Sequence, residues 1–487
     1  MPCPTRPVTR YTHCGFAITR LIREETDSGR YGPARRIIAV AGLVTGQGVR
    51  LASAEQAVTW RYQGDALMSR SSARECLAPG TVVAPGEVLV ATEIGDPAHG
   101  RLTCPAAPLV GGLLYRRGVR VRYAPVPQSG DASQADDGAA LFVTTALHSD
   151  GTATAIGAAA SSVDGVAMAA ARSAVEEWAA VGGTRRLLGA VSPWCPGARR
   201  ALEATRQALA RGPLYVCGQL MASPQACADL EKNGAVFARS LDDVPAGATM
   251  LIPAHGVAPA LRAEATERGL DMIDATCPLV AGVQAEARRF AERGDQVVLI
   301  GQSGLAVLPA ILGEAPDHAI LAETRVGAGA VQVADPRRVS YVLVPGVPVE
   351  DTPIATAALR SRFPALRGPD PDGFCYAASD RAETVRTVAA SSDLVLVLGS
   401  EDDPDTRHLT ALARSNRAKA NVIADVTEIV PSWLAGVSAI GLAESTAAAP
   451  GLAARVTEAL SGLGPLSVTR RLVSTEVSGR PEISSAG

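Results

Sequence analysis

One pattern recurs three times in the second half of this chain. A cysteine in a turn precedes an amphipathic stretch of roughly four turns, and a wholly apolar, β-branched run with a glycine turn follows. The copies read "WCPGARRALEATRQALARGPLYVCG", "TCPLVAGVQAEARRFAERGDQVVLIGQSG" and "FCYAASDRAETVRTVAASSDLVLVLGS". Runs that are apolar along their whole length suit parallel strands covered on both faces, so the repeat predicts three α/β subdomains. In such sheets the strand-to-helix turns gather at one edge, where ligands bind. Cys195, Cys277 and Cys375 stand at equivalent places, each just ahead of a helix. The positive end of the helix dipole there favours the thiolate, which is the metal-binding form. The repeat therefore predicts three thiols converging on one point. Three unrelated buried cysteines are the plainer alternative.

At 487 residues the chain is too long for one hydrophobic core, so two or more domains are expected. Hydrophobic residues make up 47% but aromatics only 4%, which suits closely packed α/β layers. A formal net charge of −3 gives no electrostatic case for nucleic acid or an anionic membrane. The longest apolar stretch, 139–171, is broken by His148, Asp150 and Asp164, so no membrane span is expected. The N-terminal segment has basic residues but no apolar signal-peptide core. Nine cysteines, an odd number without a C-x-x-C pair, argue against a secreted disulfide framework and point to the cytoplasm. No G-x-G-x-x-G follows a strand and no Walker A lysine is present, so a dinucleotide or nucleoside triphosphate site is not indicated. The expected organisation is an α/β unit over 1–185 with an acidic, turn-rich loop at 127–139. The tripartite unit over 186–470 and a disordered tail over 471–487 follow.

"WCPGARRALE", "AHGV", "DATCPLV", "FCYAASDRAE" and "LGSEDDPDTRHL" carry a more specific signal. In order and spacing, residues 186–470 resemble the 4-hydroxy-3-methylbut-2-enyl diphosphate reductases, the IspH or LytB family. The resemblance implies a trefoil of three α/β subdomains around a central [4Fe-4S] cluster. Cys195, Cys277 and Cys375 would be its ligands, with one iron left open to substrate. A Cys₃His zinc site that includes His255 is the runner-up. Cys217 and Cys227 are expected to pack in a core, although Cys217 follows a strand and could face the cavity. Asp274 either tunes the second thiolate or braces its turn, and His408 at a helix start is read as a surface or capping residue. Without a nucleotide motif, electrons would come from an external donor of the ferredoxin or flavodoxin type.

The family's reaction removes a hydroxyl from an allylic diphosphate with two electrons and protons, which needs diphosphate donors and an acid. Of the matching positions His255 survives and is the expected catalytic residue. Gly218 stands where a first histidine is expected, and Leu305 and Val307 where a third histidine and the acidic glutamate belong. Pro345 and Gly346 replace hydroxyl residues, and Ala448 replaces a late serine. Asp403, Pro404, Asp405 and Thr406 replace the diphosphate clamp, so the two aspartates are expected to repel a diphosphate. The expected function is therefore an iron–sulfur reductase acting on a different small molecule. The alternatives are a catalytically silent scaffold or regulatory relative, and an isoprenoid reductase with an unconventional acid.

In the N-terminal part, "VATEI", "PAAPLVGGLLYRRGVRV" and the small-residue stretch leading to "SVD" resemble the nucleoside phosphorylase superfamily, particularly its hopanoid-associated nucleosidase branch. There Val166 stands in place of the glutamate that binds ribose hydroxyls, and Asp164 reads as a helix cap. The resemblance implies a noncatalytic or repurposed module, of a type that commonly assembles into homo-oligomers.

Overall fold

A computed structural model of the protein describes residues 82–96, 100–127, 138–147, 153–190, 194–221, 223–323, 327–370 and 373–477. It also describes the backbone of four strands between residues 17 and 76. Most of the acidic loop (128–137) and the last ten residues (478–487) lie outside the described residues.

The N-terminal unit is a mixed six-stranded sheet. Its strand order is Ala73–Cys76, Ala139–Leu147, Ala153–Ser161, Gly100–Thr103, Glu87–Asp96 and Arg120–Pro127. Helices α1 (Ala107–Arg116) and α2 (Gly165–Ala180) pack against it. Asp164 caps α2, its Oδ1 accepting from the Val166 and Ala167 amides at 3.1 and 2.9 Å. Its Oδ2 accepts from Gly86 N at 2.6 Å, which staples the helix start to a turn 78 residues earlier. Val166 points into solvent.

Each copy of the repeat then builds the expected helix and apolar strand. In the first lobe α3 (Pro196–Leu209) leads into Leu214–Cys217. That strand lies in a parallel four-stranded sheet with Ala235–Ala238, Thr249–Ile252 and Asp271–Asp274. Helices α4 (Pro224–Lys232) and α5 (Pro259–Glu267) complete the lobe. In the second, α6 (Pro278–Glu292) leads into Gln296–Gly301, the centre of a parallel three-stranded sheet with Ala319–Glu323 and Val339–Leu343. The short α7 (Leu308–Leu312) and α8 (Pro353–Arg362) accompany it. In the third, α9 (Ala377–Ala389) leads into Leu394–Leu398, all five residues of which are buried. Helices α10 (Pro404–Ser415), α11 (Pro431–Leu434) and α12 (Leu452–Ser461) belong to this lobe.

The third lobe corrects the expected boundaries. Its sheet has eight strands, beginning Lys419–Ile423, Leu394–Leu398, Ala439–Glu444 and Arg185–Ala190. The strand Leu466–Val477 comes next, so a boundary at 470 falls inside a strand. Beyond it Ala17–Thr26, Ala34–Thr45 and Gly48–Leu51 add on antiparallel. The start of the chain thus extends the sheet of its end. Among the described residues no helix is long and apolar enough to cross a membrane.

Candidate cluster site

The three repeat cysteines come from three lobes and lie within electrostatic reach of one another. Cys195 is the N-cap of α3, and its Sγ accepts from Ala198 N at 3.4 Å. Cys277 is the N-cap of α6, and its amide donates to the Ala254 carbonyl at 2.9 Å, tying the second lobe to the loop of the first. Its side chain packs against the apolar cores of both lobes. Cys375 lies two residues ahead of α9 and is partly buried. Burial pushes the Cys375 thiol up from its ordinary value, and the nearby Cys195 and Cys277 push in the same direction. Like groups in mutual electrostatic reach are an arrangement that a shared positive centre would relieve.

Gly197 measures how near two of these sulfurs lie. A Cβ at this position would sit 2.9 Å from Cys277 Sγ and 3.8 Å from Cys195 Sγ. Only a residue without a side chain leaves that space. Gly197→Ala is therefore expected to displace the Cys277 thiol and lower bound iron severalfold, with little change in circular dichroism. Iron and sulfide assays on anaerobically prepared protein check it. No three His, Cys, Asp or Glu side chains among the described residues are close enough to hold a single ion. A multi-iron group instead takes its thiolates at separate corners.

His255 sits next to Ala254, whose carbonyl holds the Cys277 amide. Its Nδ1 is buried without a partner. Burial pushes the imidazole below its ordinary pKa, which favours the neutral ring. An orphaned buried acceptor costs about 1–3 kcal/mol unless something bound satisfies it.

The remaining positions divide into an apolar wall and a self-satisfied polar one. Val307 is buried and Leu305 packs on the same core. Leu305 also lies over Gly346, where a Cβ would be 3.5 Å from Leu305 Cδ2. Gly218 has φ +101° and Gly346 φ +102°, a left-handed backbone that a histidine or threonine would adopt only under strain. Ala448 is buried.

The two aspartates are not the free charges expected from sequence. Asp403 caps α10, its Oδ2 accepting from Thr406 N at 2.7 Å and Thr406 Oγ1 at 2.8 Å. Asp405 takes both arms of Arg381 at 2.9 and 2.8 Å and the Thr446 amide at 2.7 Å. The same guanidinium donates to the Glu444 carbonyl at 2.7 Å. Fixing α9, α10 and a strand end together, Arg381 was not legible as a site residue. Arg381→Ala is expected to cost about 2 kcal/mol, discounted for partial exposure, and to lower the thermal midpoint by several degrees.

Asp274 accepts from Thr276 N and Oγ1 at 2.9 and 2.6 Å and from Arg262 at 2.8 Å. Burial raises its pKa, but these bonds outweigh it and hold the carboxyl below the usual range. It braces the turn ahead of Cys277, without a bond to the thiol. Arg200 of α3 donates to the Thr276 carbonyl in the same turn, another contact the sequence did not signal. Cys217 is buried in the first lobe's core and Cys227 is partly buried, its Sγ 3.9 Å from the Met221 carbonyl. His408 is exposed on α10. A groove of about 490 Å³ runs between α3 and α4, lined by Trp194, Leu202, Arg206, Met221, Leu230 and Pro450 among others, and none of the three cysteines faces it.

Residues 187–461 match the sequence pattern of the family described as LytB protein. The 4-hydroxy-3-methylbut-2-enyl diphosphate reductase 1 of Mycobacterium tuberculosis (strain CDC 1551 / Oshkosh) is 38% identical over 296 residues, 60% of this chain and 90% of that protein. The 4-hydroxy-3-methylbut-2-enyl diphosphate reductase of Dechloromonas aromatica (strain RCB) is 37% identical over 278 residues, 57% of this chain and 91% of that one. Among solved structures, the E-1-hydroxy-2-methyl-but-2-enyl-4-diphosphate reductase of Plasmodium falciparum superposes with a TM-score of 0.52 at 23% identity. That likeness covers 63% of this chain and 96% of the other, and it speaks for the fold.

Proposed function

The chain belongs to the LytB family, and on that premise we propose that it is an iron–sulfur reductase of a small allylic alcohol. Cys195, Cys277 and Cys375 would hold a [4Fe-4S] cluster, which when bound supplies electrons one at a time. The observation that carries this reading is the approach of the Cys195 and Cys277 thiols at Gly197, with Cys375 of the third lobe in electrostatic reach of both. The names of the relatives favour 4-hydroxy-3-methylbut-2-enyl diphosphate as the substrate. Neutral His255, with a buried and unsatisfied Nδ1, would accept a hydrogen bond from a substrate hydroxyl. Leu305 and Val307 would keep water from the reacting face. Electrons would arrive from an external ferredoxin- or flavodoxin-type donor in the cytoplasm.

A second reading, a substrate without a diphosphate, rests on the wall itself. Leu305, Val307, Pro345 and Ala448 offer no side-chain donor, and the donors around Asp403 and Asp405 are already engaged. The N-terminal unit supports a noncatalytic phosphorylase-like reading, since Asp164 is used up as a cap and Val166 faces solvent. Assembly through that unit into a homo-oligomer is part of the proposal.

The test is anaerobic reconstitution followed by turnover of 4-hydroxy-3-methylbut-2-enyl diphosphate with a chemical reductant. Product formation at rates typical of enzymes establishes the first reading. An intact cluster without turnover of that compound, but with turnover of an uncharged allylic alcohol, establishes the second. A cluster inert to both leaves a scaffold, and the absence of bound iron removes the proposal.

A further inference from the structure

Helix α3, which Cys195 caps, has a basic face that the fold does not neutralise. It holds Arg199, Arg200 and Arg206, with Arg211 just past its end, against Glu203 alone. All four arginines are exposed. None of them is in an ion pair among the described residues, and Arg200 donates to the Thr276 carbonyl. Helix α6, capped by Cys277, differs: Arg288 pairs with Glu314 at 3.1 Å and Arg289 with Glu286 at 2.8 Å. With 3.6 residues per turn, Arg199, Arg200 and Arg206 fall within about 120° of one another on α3. Glu203, on the same side, accepts from Gln207 at 2.9 Å.

This placement works against the helix. Arg199 and Arg200 stand near the positive end of its dipole, where cations are disfavoured, and no acidic residue lies in the first turn. Arg200 is accounted for by its bond in the turn ahead of Cys277, whereas Arg199 and Arg206 brace nothing. Beside them lies the groove of about 490 Å³ between α3 and α4. Arg206 borders it, and Trp194, the residue before Cys195, lines it together with Pro450 of the third lobe. Leu202, Met221 and Leu230 make it largely apolar, and its carboxylate, Asp229, is paired with Lys232 at 3.2 Å. An apolar centre with a charged rim is the anatomy of a protein–protein contact.

We infer that the arginine face of α3 and the adjoining groove dock the electron donor, a small acidic redox protein. The inference rests on the cluster reading above, which requires electrons from outside the chain. Charge, position and size all favour this occupant. The face is positive on a chain whose net charge is −3, so it selects an acidic partner locally. It begins four residues from Cys195, ~6 Å along the helix axis, so a carrier seated there lies beside the first ligand. One helix and one groove suit the small contacts of transient redox encounters, below about 1,200 Å². Each encounter passes one electron from the reduced carrier, which leaves oxidised. Two encounters, with two protons, break one C–O bond, form one C–H bond and release water.

Two variants of the full chain, reconstituted anaerobically and matched in charge, test this. Arg199→Gln with Arg206→Gln removes two unpaired charges from α3, and Arg288→Gln with Arg289→Gln removes two paired charges from α6. The probes are an acidic ferredoxin and an acidic flavodoxin, with photoreduced deazariboflavin as the uncharged control. Calorimetry reads binding of the oxidised carrier, and stopped flow reads the rate at which the reduced carrier bleaches the cluster. At low salt the α3 variant is expected to bind both carriers about tenfold more weakly and to be reduced about tenfold more slowly. The α6 variant should match wild type, and the uncharged reductant should treat all three proteins alike. The gap between wild type and the α3 variant should close as salt rises. Full iron with equal binding and rates in all three proteins overturns the docking face and leaves the cluster reading standing. An equal loss in both variants does the same, as does a slowing that the uncharged reductant shares. Wild-type protein reduced by deazariboflavin but by neither carrier also overturns it. Wild-type protein that binds no iron overturns the cluster reading and the docking face with it.

Discussion

Replacing any one of Cys195, Cys277 or Cys375 by alanine is expected to reduce bound iron by ~100-fold or more, because changes in outer-shell partners alone cost ~10–100-fold in metal affinity. The visible absorption of anaerobically purified protein, its iron content and the signal of the reduced state should vanish together in each variant. Their equivalence is the point of the experiment. The three residues sit in different lobes, 82 and 98 positions apart along the chain, so only a shared ligand makes their loss identical. Cys217→Ala is the control. That thiol is buried in the first lobe's core, and burial pushes its pKa up, which disfavours the thiolate a metal needs. Its loss should cost about 1 kcal/mol of packing and leave iron untouched. Iron retained in the Cys277 variant would show that the thiols are neighbours without a common ligand.

Legibility in the sequence followed the range of the interaction. "DLVLVLG" and "DQVVLIG" are apolar at every position because both faces of their strands are covered, and each forms the strand expected. Asp164 could be read as a cap because the bond spans two or three residues. The pairing of Ala17–Thr26 with Leu466–Val477 joins residues more than 400 apart, and no local pattern encodes a partner at that distance. The β-branched residues Val473 and Thr475 did continue the strand signal past 470, so that boundary was recoverable. The aspartates of "DDPDT" were misread for a different reason. Charge is visible in sequence, but whether a carboxylate is free depends on partners such as Arg381 and Thr446, 24 and 41 residues away. The thiols were legible because a repeated unit places equivalent residues at equivalent sheet edges. Gly346 could have been flagged by its Pro-Gly dipeptide as a turn with positive φ.

Trp178→Ala is expected to destabilise the third lobe as well as the N-terminal unit in which it lies. The indole is fully buried, and its Nε1 donates to the Leu109 carbonyl at 3.1 Å. One continuous apolar core joins Leu109, Val175 and Trp178 to Leu396, Ile440 and Val456 of the third lobe. Helix α1 lies so close to that lobe that a Cβ on Gly112 would be 2.2 Å from the Thr427 carbonyl oxygen. Arg116 adds bonds to the carbonyls of Thr427 and Ile429. Removing a buried tryptophan costs about 3–5 kcal/mol, and the unmet Leu109 carbonyl adds to it. If the core is one cooperative body, calorimetry should show the main transition moving down, with loss of the iron chromophore following it. If the units are independent, a small early transition should separate and the chromophore should bleach at the wild-type temperature. Gly112→Val forces the two units apart without opening a cavity, and should shift the chromophore's loss in the same direction. Agreement between the two variants would mean that the N-terminal unit is a structural part of the LytB-family fold of this chain, covering the face of the third sheet opposite the helix that Cys375 precedes.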